Sequence, residues 1–380
     1  MSGKPTGSTG STGSPRRAAV LPEVPAAIPH DYAVPPGELI RDELAVRGLS
    51  QTELAARTGL STKHVNQVVK AVVPLSIDTA LKIERAIGLP AQLLMTMEAQ
   101  YQSNHGREVA RQHLGAFQAW LRRFSRSDLV DRGVVDAHAS VDRQIEQLLS
   151  FFGVASPDAY DHVYSEAALS FRRAQHLSVN RDATALWLRL GERQAEALDL
   201  SVFDTEAFVR LVFQLPDLTR LPIGEAFPLL SSRCAAVGVA VVYEPDVTGT
   251  RAYAATRWIG TGRPVVILSG RGRYEDGLWF HFFHECAHIL LHPKRRSFVH
   301  LTEDGDDGDG AESEANDYAR QVLLRSRQDE VLWQVRTKSQ AVAVADQLGI
   351  DPGIVAGQVA YALGPTGFKA FAGLRRKIEL

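Results

Sequence analysis

The chain has 380 residues, long enough for two or three domains, and its 45% hydrophobic and 23% charged content is that of an ordinary globular protein. Lys+Arg total 42 against Asp+Glu 44, a net charge of −2, so overall charge makes no case for a nucleic-acid or membrane partner. Two cysteines, Cys234 and Cys286, exclude a disulfide scaffold and a thiolate-built zinc site, and they suit a reducing compartment. No uncharged apolar run approaches the roughly 18 residues of a membrane span. The stretch AAVLPEVPAAIP is too broken by proline to be a signal-peptide core, so a cytoplasmic protein without membrane association is expected.

Residues 1–34 read as a disordered, linker-like start, Gly/Ser/Thr-rich through position 18 and proline-punctuated after it. Residues 35–104 then show short amphipathic helices separated by Gly or Pro. Within them LSQTELAARTGLSTKHVNQVVK (49–70) has helix–turn–helix spacing. Ser50 is placed to cap a helix whose Leu54 and Ala55 face inward, Gly59 supplies a left-handed turn residue, and Ser61 caps the next helix. Val65, Val68 and Val69 form that second helix's buried stripe. Thr62, Lys63, Asn66, Gln67 and Lys70 point outward and, with Gln51, are the candidate DNA contacts. Residues 35–90 hold seven Lys/Arg and six Asp/Glu, a net of +1, a weaker basic footprint than DNA-binding modules usually carry. A helical bundle that docks protein is the alternative.

The wider segment, from PPGELIRDELAVRGLSQTELA through PLSIDTALKIERAIGLPAQLL to MEAQYQ, closely resembles the phage-repressor-type helix–turn–helix of HigA-like antitoxins. One departure is Lys70–Ala71 where that pattern has a glycine. The resemblance implies an all-α bundle and DNA binding.

Residues 105–224 look mostly helical, with LLSFFGV and ATALWLRLGERQAEAL, and carry no assignable chemistry. Arg172, Arg173 and Arg189 are read as a solvated helix face, with a sensor pocket as the alternative. Composition shifts after 225. VGVAVVYEP (237–245) and RPVVILS (263–269) are β-branched runs bounded by Gly, Pro and Asp, which predicts strands. A helix follows from Gly277 to about His292. The acid loop EDGDDGDG (303–310) fails the EF-hand spacing in every register and reads as a mobile, solvated loop. Helices are predicted over 311–326 and again near 338–364, the latter within a C-terminal helical segment, 327–380.

HFFHECAHILLH contains H-E-x-x-H as His284, Glu285 and His288. Phe280, Phe283, Ala287, Leu290 and Leu291 bury this helix on most sides. Two imidazoles at i and i+4 share one face and can chelate a single zinc, while Glu285 lies where a carboxylate can take a proton from water on the metal. The alternative is a pair of satisfied core histidines. Cys286 reads as a small buried residue. His292 lies eight residues from His284, about 12 Å along an unbroken helix, too far to share the metal, so it and His281 are read as structural or second-layer. On the 311–326 helix, Glu312, Ala315, Asn316, Ala319, Val322 and Leu323 share one face about 120° wide. A carboxylate on an apolar face needs a partner, and a cation is the natural one. Glu312 is therefore the third ligand and Asn316 a second-shell residue holding a ligating histidine. Glu314, about 200° away, is expected to be solvated.

WFHFFHECAHILLH followed by ESEANDYARQVLL resembles the ImmA/IrrE family of metallo-endopeptidases, in which HExxH is paired with a downstream E-x-x-x-N helix. GVAVVYEPDVTGTRAYAATRW and GRPVVILSGRGRYEDGLWF resemble that family's strands, and 105–225 resembles the linker of longer members fused to a HigA-like module. LLRS at 323–326 replaces the family's LL-M/I-P ending. The resemblance implies one Zn2+ per chain at His284, His288 and Glu312, Glu285 as general base, and regulatory cleavage of a repressor that carries a helix–turn–helix. A His2Glu set also accepts manganese or iron.

The expected fold is multidomain and mainly α: an all-α helix–turn–helix bundle (35–104), a helical linker domain (105–224), an α+β zincin-like peptidase domain (225–326) and the C-terminal helices (327–380). The expected function is a zinc endopeptidase of transcriptional or stress regulation, with DNA and a repressor-type substrate as partners and a homodimer as an open option. The alternative is an antitoxin-like regulator whose metal site senses or stabilises and does not cleave. Retention of Glu285 favours the enzyme.

Overall fold

The computed structural model describes residues 34–171, 180–260, 262–292, 298–300 and 310–380. The segment read as disordered up to residue 33, the acid loop through 309, Arg172 and Arg173 lie outside the described residues. Packing divides the chain into two units, residues 1–113 and 114–380.

The first unit comprises α1 (Pro36–Val46), α2 (Gln51–Thr58), α3 (Thr62–Val69), α4 (Ile77–Ile87) and α5 (Ala91–Leu114), the last running to the boundary. Ser50 and Glu53 start α2 with a reciprocal capping box, each backbone N–H donating to the other's side chain at 3.1 and 3.2 Å. Gly59 ends that helix at φ +70°, where a Cβ would be strained, and the Ser61 hydroxyl caps α3. Ile40, Leu54, Ala55, Val65, Val68, Val69, Ile83 and Leu94 form one core between the helices. Gly37 lets α1 touch the end of α3, since a Cβ there would lie within 2.6 Å of the carbonyl oxygens of Val68 and Val69. Ala71, at the departure noted from the antitoxin pattern, takes φ +51°, a conformation that favours glycine.

The second unit opens with seven helices: α6 (Gln118–Leu121), α7 (Arg126–Asp131), α8 (Val141–Phe152), α9 (Pro157–Phe171), α10 (Arg181–Glu196), α11 (Thr205–Val212) and α12 (Ile223–Ala235). Strands β1 (Ala240–Tyr243), β2 (Ala254–Ile259) and β3 (Arg263–Leu268) follow, then α13 (Glu275–Leu291), β4 (Phe298–His300) and α14 (Ala311–Leu323). The chain ends with α15 (Gln328–Gln334), α16 (Lys338–Leu348), α17 (Pro352–Leu363) and α18 (Pro365–Phe371). The sheet order is β1-β3-β2-β4, with β1 parallel to β3 and the other pairs antiparallel.

Period-two alternation makes the sheet a partition between two cores. Val241, Ala254, Val266 and Leu268 join one core with Phe282, Phe283 and Cys286 of α13. Ala240, Val242, Ala255, Val265 and Ile267 join the other with Leu186, Trp187 and Leu188 of α10. Gly191 sets the spacing of α10 from the sheet, because a Cβ there would stand 2.7 Å from the Ile267 side chain.

These cores do not follow the divisions expected at 104, 224 and 326. The helical middle supplies one of the sheet's two covers, and the C-terminal helices contribute Ala341, Val355 and Phe371 to the core that holds α13. From Leu114 on, both segments belong to the second unit, while residues 105–113 fall in the first. The solvated face expected for Arg189 is also corrected: its guanidinium donates to the Phe151 carbonyl at 3.0 Å and pairs with Glu196 at 2.6 Å, cross-linking α8 to α10. No helix among the described residues is long and apolar enough to cross a membrane.

Candidate functional site

α13 is buried at nearly every position from Leu278 to Ile289, so its polar side chains are enclosed with the apolar ones. Its first turn is tied down by Glu275, which accepts from the Ile223 N–H at 3.0 Å, and by an Asp276–Arg375 ion pair at 2.9 Å. Burial raises the Asp276 carboxyl to about 6 against the opposing pull of Arg375. Cys286 lies in the same core, its thiol held well above the ordinary range by burial, as expected of an inert packing residue.

His284 and His288 are 0% and 1% exposed and turn their Nε2 atoms toward each other, 3.0 Å apart. α14 packs along α13 through Ala315 and Ala319, both fully buried, and these small residues let the helices approach. That approach brings Glu312 to the histidines: Oε2 lies 3.0 Å from His284 Nε2, and Oε1 lies 3.5 Å from His288 Nε2. One donor atom from each of the three residues lies within 4.8 Å of the others.

One turn further on, Asn316 Oδ1 accepts from His284 Nδ1 at 2.9 Å. The proton at Nδ1 leaves a lone pair on Nε2, facing the Glu312 carboxylate. Two electron-pair donors in contact need a proton or a metal ion between them. The spacing suits a divalent ion of the zinc class, whose tetrahedral bonds of about 2.0–2.1 Å place ligand atoms about 3.3 Å apart. The residues present therefore fit such an ion.

Glu285 is 0% exposed and turns toward the sheet. Thr256 of β2 donates its hydroxyl to Glu285 Oε2 at 2.6 Å and stands 3.1 Å from the Glu285 carbonyl. Thr256 shares the strand parity of Ala254, the face that packs on α13. No sequence reading singled it out; the only signal is a threonine amid small residues on a strand, which carries no motif.

His281 is buried with its ring centroid 4.8 Å from that of Tyr253, the two planes tilted by 39°. His292 lies one residue beyond the end of α13, with extended backbone, and its Nδ1 approaches His288 Nδ1 at 2.8 Å. Glu314 is exposed as expected but not free of the site, since its Oε2 lies 3.2 Å from His292 Nε2. α14 stops at Leu323, short of the expected 326, because Arg325 and Ser326 take φ +50° and +62°. This turn occupies the LLRS stretch and aims Arg325 at the Leu348 carbonyl and at Asp217.

In the first unit, Thr62, Lys63 and Lys70 are exposed along α3, and Asn66 and Gln67 are partly covered. Asn66 donates to Gln51 Oε1 at 3.0 Å, so the first residue of α2 and the middle of α3 present one polar surface. The valine stripe beneath them is buried as predicted.

These features define the class: a chain with a DNA-binding helix–turn–helix of the regulatory kind at its N-terminus. The helix-turn-helix family model matches residues 40–94. Virulence-associated protein I of Dichelobacter nodosus is 34% identical over 79 residues, which cover 20% of this chain and 73% of that protein. Through this module the chain belongs to the helix-turn-helix family.

Proposed function

We propose that the second unit is a zinc-dependent endopeptidase of a transcriptional or stress circuit, cutting a repressor-type protein, and that the DNA-binding module brings it to its place of action in the cytoplasm. The observation that carries this reading is the convergence of His284, His288 and Glu312, the two histidines buried and the glutamate nearly so, with Glu285 next to His284 on the same helix. The resemblance of the HExxH and ESEAN helices to ImmA/IrrE peptidases supports it. When bound, the divalent ion supplies Lewis acidity toward a peptide carbonyl and makes water more acidic.

The chain's own residues do the rest. His284, His288 and Glu312 hold the ion, and Asn316 fixes the ring of His284. Glu285, held at Oε2 by Thr256, takes the proton from the attacking water and returns it to the departing amine. Burial keeps bulk solvent from the exchange.

Glu285→Gln tests this directly. It is expected to retain one zinc per chain and the fold while lowering cleavage of the candidate repressor by at least about 100-fold, the low end of general-base contributions. Normal regulatory output from this variant, with the repressor intact in both strains, would leave a sensory or structural metal site as the better reading.

A further inference from the structure

We infer that His292 and Glu314 form a positioning relay that locks His288 in its metal-binding tautomer, an inference that rests on the metal-centre reading above. Three contacts carry it: Glu314 Oε2 to His292 Nε2 at 3.2 Å, His292 Nδ1 to His288 Nδ1 at 2.8 Å, and His288 Nε2 to Glu312 Oε1 at 3.5 Å. A carboxylate only accepts, so His292 donates from Nε2–H. Its Nδ1 is then the acceptor that meets the ring of His288 when an ion is held on His288 Nε2. At 2.8 Å two nitrogens need one proton between them, and His288 Nδ1–H supplies it. His288 is thereby left with a lone pair on Nε2, the atom that faces His284 and Glu312.

Each link follows from the local fold. α13 ends at Leu291, and His292, four residues after His288 and with extended backbone (φ −112°, ψ 158°), lies with its ring 4.9 Å from the ring of His288. Glu314 meets it from the first turn of α14, two residues after Glu312. The two carboxylates of one helix turn thus serve the two ends of one imidazole pair: Glu312 beside the ligating nitrogens, Glu314 beside the outer nitrogen of His292. His284 is served separately by Asn316, so each ligating ring has its own orienting partner.

The relay has a readout apart from catalysis. Zinc affinity of the full chain, measured by competition with a chromophoric chelator at fixed pH, is expected to fall about 10- to 100-fold in His292→Phe, the range for loss of an outer partner of a ligating histidine. His292→Asn keeps an acceptor near the Nδ1 position and is expected to recover most of that loss. Glu314→Gln, on an exposed side chain that does not endanger folding, is expected to weaken affinity about two- to fivefold, the scale of a single hydrogen bond. Nitrogen-15 spectra of the zinc-loaded protein are expected to show the His288 Nδ1–H shifted by its hydrogen bond to His292, and to lose that shift in His292→Phe. A folded His292→Phe protein with unchanged zinc affinity and an unchanged His288 Nδ1–H signal overturns the relay. His288→Ala separates the two ideas: zinc retained there removes the metal centre itself, whereas zinc lost there but unaffected in His292→Phe removes only the relay.

Discussion

The two helices that carry candidate chemistry, α3 and α13, are built on opposite plans. α3 buries three valines and turns Thr62, Lys63 and Lys70 to solvent, so its working groups are those its core does not need. α13 buries its working groups with its core, and His284, Glu285 and His288 are almost wholly enclosed. A solvated polar side chain costs little and can be exchanged with small effects. An enclosed histidine or carboxylate must be satisfied by a partner, so each one in α13 implies another residue or ion. That is why Asn316, Thr256, His292 and Glu312 surround it.

The comparison is sharpest on α14, where the same residue type occurs in both settings. Glu312, with its side chain 13% exposed, belongs to the enclosed plan, and Glu314, at 60%, to the solvated one. Glu312→Ala is expected to weaken zinc binding by more than the roughly 100-fold that outer partners reach, while Glu314→Ala stays within about fivefold. The reverse ordering in a chelator competition would show that the wrong face of α14 points at the metal.

Burial also predicts a pH effect. The Asp276 carboxyl is raised to about 6 by burial, from an ordinary 3.8, despite Arg375. A raised acid favours the folded state most where it is protonated. Its contribution, at most about 3 kcal/mol, is full below about pH 4 and is lost as pH rises through 6. Asp276→Asn is expected to remove that part of the slope, read as a smaller change in urea midpoint between pH 4.5 and 7 than the unaltered protein shows. Identical slopes in the two proteins would contradict it.

For the exposed plan, effects are smaller and fall on discrimination. Asn66→Ala and Gln67→Ala are expected to cost about 1–3 kcal/mol of preference between cognate and altered sites, with little change in salt-dependent non-specific binding. An equal loss on all DNA sequences, measured by titration at two salt concentrations, would assign these side chains to backbone contact. Absence of any DNA affinity would make the module a protein-docking unit.

The same contrast explains what could be read from the sequence. Amphipathic period and capping residues displayed the first unit, because Ser50, Gly59, Ser61 and the valines act over a few neighbouring positions. HExxH and the apolar face bearing Glu312 and Asn316 were legible for the same reason: both lie within single helices. What depends on contacts between distant segments was not. Thr256 reaches Glu285 across 29 positions and has no pattern of its own. His292 was assigned an outer place by helix length, but its pairing with Glu314 depends on how α14 meets the end of α13. The divisions drawn at 104, 224 and 326 follow composition along the chain, whereas the two sheet cores run across the last two and draw on α10, the strands and α17 together.

The measurement closest to the central claim is the metal content of the purified full-length chain. The account predicts about one equivalent of zinc per chain, lost in the double substitution His284→Ala/His288→Ala with the helix–turn–helix still folded and able to bind DNA. Zinc retained in full by that variant, or no binding of added zinc by the unaltered protein, would contradict it.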